Sequence, residues 1–265
     1  MSVRIVACSA VTGDATAAAW VPTAQRRRLD PLTRSATLAV DSLAGGKPSW
    51  SPDTALVVST SYGAVESTHR FALSMAAYGD RGASPSPFTA SVHNSCAGAL
   101  GEMLGLHGPC TTLSQGGTGT LAALRWAMLI LDAGRAPAAL VVVGDQHNDW
   151  SRRIVGELAA CRWPIGDGVA ALLIERGPGA GRELRWGEHD APHQIDGGAL
   201  LAADDARLAA AAGGRRTCAA DRLGAWWPCC LAAALPASWD EPSAIQLREA
   251  EGGQLLAAWL GERQR

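Results

Sequence analysis

The sequence has few or none of the features that mark several classes of protein. Two tyrosines and two phenylalanines stand against ten tryptophans. No apolar run is long enough to span a membrane, and the N-terminus lacks the charged flank and cleavage pattern of a signal peptide. The seven cysteines form no C-x-x-C pair, so reduced thiols are favoured over a disulfide framework or a structural zinc site. We therefore expect a cytoplasmic protein without membrane insertion.

Excess charge of one sign is also missing. The formal net charge is −2, and the one basic cluster, Arg26 to Arg28, has Asp30 beside it and is typical of a solvated helix start. This balance gives no electrostatic footprint for nucleic acid. With 265 residues, 48% of them hydrophobic and 18% charged, the chain can bury a sizeable core. The composition favours a globular α/β protein.

The stretch from Gly108 to Asp145 organises the chain. A short strand meets a glycine-rich elbow, a helix follows, and a second apolar strand closes a βαβ unit, which requires a parallel sheet and a right-handed crossover. The predicted parts are the strand Thr111–Ser114, the glycines Gly116, Gly117 and Gly119, the helix Thr120–Leu131 and the strand Ala139–Val143. Such an elbow often presents a nucleophile at a helix N-terminus, but here no side chain on it could attack a substrate.

Hydrophobic periodicity and the residues that typically start or end helices and strands predict the other elements. Strands are predicted at Val3–Cys8, Thr54–Ser59, Val169–Glu175, Arg182–Trp186 and Ala244–Glu249, and helices at Gln25–Leu43, Val65–Tyr78, Ala97–Leu106, Ser151–Cys161, Asp204–Ala212 and Leu223–Leu235. Gly79 to Pro87 is predicted to be a loop, and Gly252-Gly253 turns a hairpin into Leu255–Trp259 unless a terminal helix forms there. No internal repeat is visible. The glycines near 177 to 181 mark the one internal seam.

Several polar groups are candidate sites from their residue types alone. Cys96 and His93 could form a thiolate–imidazole pair, although a buried structural cysteine is the commoner case. Ser114 does not follow the G-x-S-x-G pattern because Thr112 replaces the first glycine. The glycines 116 to 119 lack the lysine and spacing of a phosphate-binding loop. Asp145, His147 and Asp149 could form an acid–base or metal site, but solvated or capping roles are commoner.

Three segments resemble the N-terminal half of a β-ketoacyl synthase. They are Phe88-Thr89-Ala90-Ser91-Val92-His93-Asn94, Gly105-Leu106-His107-Gly108-Pro109 and Gly166-Asp167-Gly168-Val169-Ala170-Ala171-Leu172-Leu173-Ile174-Glu175. The resemblance implies a thiolase-like α/β fold with αβαβα layers. Residues 1–176 would form a mostly intact first half, and residues 177–265 an abbreviated second half packed on it in one compact unit.

More narrowly, the Ser-Val-His-Asn stretch and the Trp-Trp-Pro at 226–228 are similar to short chain-length-factor relatives of aryl polyene and xanthomonadin-type pathways. Counted from Gly108-Pro109, the ketosynthase cysteine falls at Gly117. Chain-length factors usually carry glutamine there, whereas this chain has Gln115 two positions earlier. The second half is too short to supply the two ketosynthase histidines, and His189 and His193 lie in another context. The resemblance therefore implies a non-catalytic subunit.

In the family, two first halves meet across a two-fold axis through the strand that leads into the elbow. By resemblance, the partner interface and acyl tunnel would contain Phe88, Ser91, His93, Asn94, Thr112, Ser114, Gln115, Gly116, Gly117 and Thr118. The implied partner is a full-length ketosynthase in a heterodimer, with an acyl carrier protein reached through the complex, and no cofactor or metal is implied. Two alternatives stay open: a stand-alone thioesterase or acyltransferase that uses Cys96, and a purely structural stabiliser of the ketosynthase.

Overall fold

Apolar, β-branched runs form the centre of a mixed sheet. The computed structural model describes residues 2–13, 15–159, 164–186, 199–202, 216–218, 223, 230–240, 245–251 and 254–264. The first five strands are β1 (Val3–Thr12), β2 (Ala55–Ser59), β3 (Cys110–Leu113), β4 (Ala138–Asp145) and β5 (Gly168–Arg176). Every residue of β2 and all but the first of β4 are buried, as expected for strands covered on both faces.

Helices connect these strands. They are α1 (Thr23–Arg26), α2 (Pro31–Ala44), α3 (Val65–Tyr78), α4 (Pro85–Thr89), α5 (Ser95–Leu104), α6 (Gly119–Asp132) and α7 (Asp149–Ala159). The Asp30 carboxylate caps α2 by accepting the backbone N–H of Leu32 at 2.9 Å, and Pro31 is the first helical residue. The helix ends at Gly45, whose φ of 68° is the left-handed conformation that glycine adopts without strain.

Alternate residues of the central strands face two different cores. Leu56 and Val58 of β2 pack with α2 and α5 on one face of the sheet. Val57 of β2 and Val141 of β4 pack with α6 on the other face. This alternation follows from the two-residue period of a strand. It places α6 in the larger of the two cores.

The second half continues the same sheet. Its strands are β6 (Gly181–Trp186), β7 (Ala199–Ala202), β8 (Arg216–Cys218), β9 (Ile245–Glu251) and β10 (Gln254–Gln264), and it contains the helix α8 (Cys230–Ser238). The ten strands pair in the order β3-β2-β4-β5-β1-β6-β10-β9-β7-β8.

This order reveals a repeat that the sequence does not show. From the centre of the sheet outward, the first half has the order β1, β5, β4, β2, β3, and the second half has the order β6, β10, β9, β7, β8. Numbered within each half, both orders are first, fifth, fourth, second, third. In each half the fifth strand is antiparallel to its two neighbours, and the second and third strands run parallel to the fourth. The repeat is one of topology, and it is not visible in the sequence because strand pairing can be preserved without residue similarity.

The helices α6 and α8 lie between the two halves of the sheet. α6 contacts β2 and β4 of the first half as well as β9 and β10 of the second. α8 contacts β1, β5 and β7, and its residues from Cys230 to Leu235 are all buried. The helices α2 and α5 form a layer on the other face of the first half. This layer, the two halves of the sheet and the layer of α6 and α8 are four of the five predicted αβαβα layers within the described residues.

Some predicted boundaries differ from the structure. Within the helical stretch Gln25–Leu43, the sequence predicts Asp30 as the N-cap, Pro31 as the first helical residue and Gly45-Gly46 as the stop, and α2 confirms these positions. The residues before Asp30 form the separate short helix α1. The loop predicted over Gly79–Pro87 contains a 3-10 turn at Asp80–Gly82 and the start of α4. The hairpin alternative for the C-terminus is confirmed by the antiparallel pairing of β9 and β10. The helix predicted over Asp204–Ala212 lies outside the described residues, as do residues 224–229 of the helix predicted over Leu223–Leu235.

Candidate functional site

The glycine elbow lies at one edge of the sheet. β3 is the outermost strand of the order, and it pairs with β2 along one side. After β3 the chain enters a 3-10 turn at Gly116–Thr118, where Gly116 has a φ of 50°, and α6 begins at Gly119. The Thr118 hydroxyl is buried and donates to the Gln115 carbonyl at 3.0 Å, which closes the turn. The elbow predicted from sequence is thus present, with the side-chain-free Gly117 in its centre.

The structure brings the two predicted interface segments to one loop. The Ser114 hydroxyl donates to the backbone carbonyl of Ser61 at 3.2 Å. His93 packs against Gly63, where an added Cβ would lie 3.1 Å from the imidazole ring. Both contacts fall on the loop of residues 60–63, which follows β2 at the carboxyl ends of the parallel strands. Segments that are well separated in sequence therefore share one edge of the molecule.

The remaining predicted interface residues lie along the same edge. Thr112 is half-buried on β3, and Gln115 is exposed beside the elbow. Phe88 is 55% exposed on α4 and packs against Phe71 with ring centroids 5.1 Å apart. The Ser91 hydroxyl donates to the Phe88 carbonyl at 2.8 Å. Asn94 is exposed at the start of α5 but makes no side-chain capping bond.

Asp145 holds this edge in place. Its fully buried carboxylate accepts the Thr60 hydroxyl at 2.7 Å, the Ser61 N–H at 2.8 Å and the Tyr62 N–H at 3.0 Å, all through Oδ1. Burial raises the pKa of Asp145, and these donors and the nearby His147 act in the opposite direction. The residue is thus an anchor between β4 and the loop after β2. The sequence placed it at a strand end but missed this role.

His147 follows Asp145 and is oriented by a second carboxylate. Its Nδ1 lies 2.9 Å from Oδ1 of Asp167, which also accepts the His147 backbone N–H at 2.8 Å and is paired with Arg152. Burial lowers the pKa of His147 despite the opposing effect of Asp145. The histidine lines a pocket of about 220 Å³ with Asp30 and Arg34 of α2 and with the first turn of α3. Asp149 is exposed at the start of α7 and forms no pair with Asp145.

The structure argues against Cys96 as a nucleophile. Cys96 is 1% exposed, and burial raises the pKa of its thiol to about 12, so the thiol is protonated at neutral pH. Its hydrogen-bonding neighbour is Thr33 of α2. The helix α5 begins at Ser95, so His93 lies outside it and the two residues do not share a helix face. Cys96 packs as a small apolar residue of the core.

A residue that sequence reasoning misses lies at the N-terminus of α6. Glu249 of β9 is fully buried, and its Oε2 accepts the backbone N–H of Leu121 at 2.7 Å. It shares a strand face with the buried Leu247. A carboxylate in register with buried leucine is the signal that could have identified it, because buried charges are paired.

The surface formed by α3, α4 and the following turn exposes several large apolar side chains. Within α3 only Val65 is buried. The exposed large apolar side chains of α3, α4 and the following turn are Leu73, Met75, Tyr78, Phe88 and Val92. Contiguous exposed apolar surface is typical of protein–protein contact sites.

Among the described residues, no helix is both long and apolar enough to cross a membrane. Within the same ranges, no three histidine, cysteine, aspartate or glutamate side chains are grouped so that they could hold a metal ion.

Comparison with solved structures supports the fold. A structure described as a type II polyketide synthase acyl-carrier protein in complex with its ketosynthase bound to the hexaketide (AntDE:AntF) superposes with a TM-score of 0.80 at 12% identity, over 98% of this chain and 99% of that chain. The ishigamide ketosynthase/chain length factor gives 0.73 at 17% identity over 100% of each chain. The ketosynthase ApeO in complex with its chain length factor ApeC, from Xenorhabdus doucetiae, gives 0.61 at 16% identity over 98% of this chain and 100% of that chain. These similarities confirm the thiolase-like fold.

Sequence comparison gives the family. No curated protein matches the chain. The family model for the beta-ketoacyl synthase N-terminal domain matches residues 6–174, which is more than half of the sequence and includes β2, the elbow and β4. The chain therefore belongs to the beta-ketoacyl synthase, N-terminal domain family.

Proposed function

We propose that this protein is a non-catalytic, chain-length-factor-like subunit that pairs with an active ketosynthase. One observation carries the proposal: β3, the outermost strand of the described sheet, leads into an elbow whose Gly117 has no side chain. A strand edge is a template for pairing with another chain. A glycine leaves volume where a ketosynthase of this fold would have its nucleophile.

The surroundings of the elbow support a protein partner. Leu73 and Tyr78 of α3 are 55% and 74% exposed, and Phe88 of α4 is 55% exposed. The turn after α4 packs on the first turn of α3, because the Thr68 hydroxyl lies within hydrogen-bond distance of the Ala64 and Ser91 carbonyls. Among the proteins of similar fold, two are described as ketosynthases with their chain length factors. A ketosynthase is accordingly the partner that we assign to this surface.

The finer assignment concerns the product. In the proposal, residues 1–176 supply the shared surface, and residues 177–265 are an abbreviated second half that closes the core. Gly117 would face the acyl tunnel of the complex and widen it, and an acyl carrier protein would reach the complex through the ketosynthase. Aryl polyene or xanthomonadin-type chains are the class of product that the sequence resemblance suggests. The protein itself would then need no cofactor.

Co-expression with a ketosynthase from the same genome tests the pairing. We expect a stable complex with the native chain and loss of co-purification with Phe88→Glu, which places a charge on the apolar surface. Leu129→Glu is the matched control, because Leu129 is 50% exposed on α6, away from the elbow. Failure of the native chain to co-purify, or equal loss with both variants, contradicts the proposal.

Product analysis separates tunnel shaping from a purely structural role. In the proposal, Gly117→Leu fills the volume at the elbow and shifts the complex towards shorter acyl chains, while the complex still forms. Ala133→Leu, at the exposed C-terminal end of α6, serves as a control for the added side chain. An unchanged length distribution with Gly117→Leu would instead assign the protein as a stabiliser of the ketosynthase.

A further inference from the structure

The C-terminal half of α3 has no charged side chain. The sequence of residues 71–78, between Arg70 and Asp80, is Phe-Ala-Leu-Ser-Met-Ala-Ala-Tyr. All of these residues except Phe71 and Ser74 are exposed. A helix that is apolar around most of its circumference is normally buried in a protein interior. This half of α3 therefore has the composition of an interior helix and a position on the surface of the chain.

Contacts within the chain cover one narrow side of this helix segment. Phe71 packs on Phe88 of α4 with ring centroids 5.1 Å apart. The Ser74 hydroxyl donates to the Phe71 carbonyl at 2.8 Å and accepts the backbone N–H of Ser84 at 3.0 Å. The side of α3 that faces α4 and the preceding turn is thus the side of Phe71 and Ser74.

The exposed side chains extend around the rest of the helix. At about 100° per residue, an arc of about 200° is covered in turn by Met75, Ala72, Ala76, Leu73 and Ala77. Leu73 is 55% exposed and Met75 is 39% exposed, and the three alanines are exposed as well. A helix that packs on one surface presents an apolar stripe of about 100°. The exposed arc is about twice as wide, so contact with one flat surface would leave part of it in water.

We propose that the partner subunit receives the C-terminal half of α3 in an apolar groove that encloses the helix on at least two sides. The inference deepens the proposed function and rests on it for the identity of the partner, a ketosynthase. Eight residues with a rise of 1.5 Å each give the groove a length of about 12 Å. Because three of the five side chains on the arc are alanines, the walls of the groove can approach the α3 backbone closely.

Two observations favour a different chain over a second copy of this one. Two surface cavities are described on this protein, and both have charged side chains in their walls, such as Arg135 in the larger and Glu66 in the smaller. Neither of these cavities is an apolar groove. In addition, α3 begins two residues after the loop of residues 60–63, which the Ser114 hydroxyl contacts at the end of β3. The groove would therefore continue the contact that the edge of β3 makes in the proposed complex.

Cysteine labelling at the two ends of the exposed arc tests the groove. We would make Met75→Cys and Ala77→Cys separately, and measure the rate at which N-ethylmaleimide modifies each thiol with and without the ketosynthase. Peptide mapping by mass spectrometry separates these thiols from the native cysteines. With the ketosynthase at about ten times its Kd, both rates should fall about tenfold, because labelling then requires the small fraction of free chain. Leu129→Cys, at a 50% exposed position on α6, is the matched control and should keep its rate.

Protection of one thiol and not the other would show a flat contact and overturn the inference, while the pairing with a ketosynthase would stand. Unchanged rates at both positions, in a complex that forms, would place the partner elsewhere and also overturn it. Light scattering of the isolated chain covers the second-copy alternative: a dimer in which both thiols are already protected would assign the arc to a homodimer instead. If the native chain forms no complex with the ketosynthase, the proposed function fails together with the groove.

The positions are chosen so that folding does not decide the result. Met75 and Ala77 are exposed, and circular dichroism of the isolated variants should match that of the native chain. Leu73→Cys, at a third position on the arc, repeats the measurement and should be protected to the same extent. Full reactivity of Leu73→Cys in the complex would contradict an enclosing groove.

Discussion

The helix α2 precedes β2 in the sequence, and α3 follows it. The two helices have the same length, yet they differ in the number of residues that they bury. Each has 14 residues. α2 buries seven of them against the sheet and α5, whereas α3 buries only Val65. A helix usually gains its stability from packing of an apolar face. The apolar face of α2 therefore packs within the folded chain, while the apolar residues of α3 stay exposed and are available to a partner.

The largest expected effect contrasts the two helices directly. Leu32→Ala in α2 removes a side chain that is 2% exposed and should lower the free energy of unfolding by about 3 kcal/mol. Leu73→Ala in α3 makes the same change at a 55% exposed position and should alter it by less than about 0.5 kcal/mol. Urea unfolding of the isolated chain measures both. Similar losses would show that α3 is packed in the monomer, which would break the comparison.

The second prediction concerns the anchor that fixes the entry to α3. Asp145→Ala removes the acceptor of the Thr60 hydroxyl and of two loop N–H groups, and should cost about 2 kcal/mol of unfolding free energy. Asp149→Ala, at the exposed start of α7, is the control and should cost less than about 0.5 kcal/mol. Hydrogen exchange should increase at Ser61 and Tyr62 in the Asp145 variant. Unchanged exchange would mean that other contacts hold this loop.

A pH effect is expected at the pocket shared by the two helices. The pKa of His147 is lowered in the folded state, so the unfolded chain binds a proton first as the pH falls. Stability should therefore decrease below pH 6.5, by about 1 kcal/mol for each pH unit until the folded-state pKa is reached. Asp30 and Asp145 change the stability in the opposite direction. Because burial raises their pKa values, the folded chain binds these protons first, and their contribution to stability increases as the pH falls towards 3.8.

The difference between native protein and His147→Gln isolates the histidine from these carboxylates. Urea midpoints from pH 5 to 8 should show a steeper fall for the native chain. Parallel curves for the two proteins would indicate that His147 keeps an ordinary pKa.

The smallest expected effect is a labelling contrast between the core and the sheet edge. Cys96 lies beneath α2 with a pKa of about 12 and should resist a thiol reagent at pH 8 for as long as the protein stays folded. Cys110 is exposed at the start of β3 and should react. In the complex with a ketosynthase, Cys110 should become protected. Reaction of Cys110 at the same rate in the complex would place the partner elsewhere.

The elements that local sequence determines can be predicted well. The range Val65–Tyr78 of α3 matches the prediction, since an acidic first turn and a following glycine mark its ends. The buried run of β2 and the βαβ unit around the elbow also follow from composition and punctuation. The missed helix α4 has prolines at positions 85 and 87, which indicate a loop in the sequence although proline is also favoured in the first turn of a helix.

Distant contacts are beyond the reach of sequence patterns. β7 and β8 are short strands whose partners are parallel and far away, so no local pattern marks them. The elbow could be located, but the carboxylate at its helix lies 128 residues further along the chain. Asp145 is recognisable as a strand-end residue, and its three donors become visible only when β2 and β4 lie side by side.

The central position of β1 has a consequence for the order in which the chain can fold. β1 precedes the other strands of the sheet in the chain, but its two neighbours are β5, which begins at Gly168, and β6, which begins at Gly181. Contacts of such large sequence separation form late, because a long loop must close first. Until then the growing chain leaves Val3 and Ile5 without the strands that bury them. Synthesis must pass β6 before β1 can be built between its two neighbours, and chaperone demand should be highest in that interval.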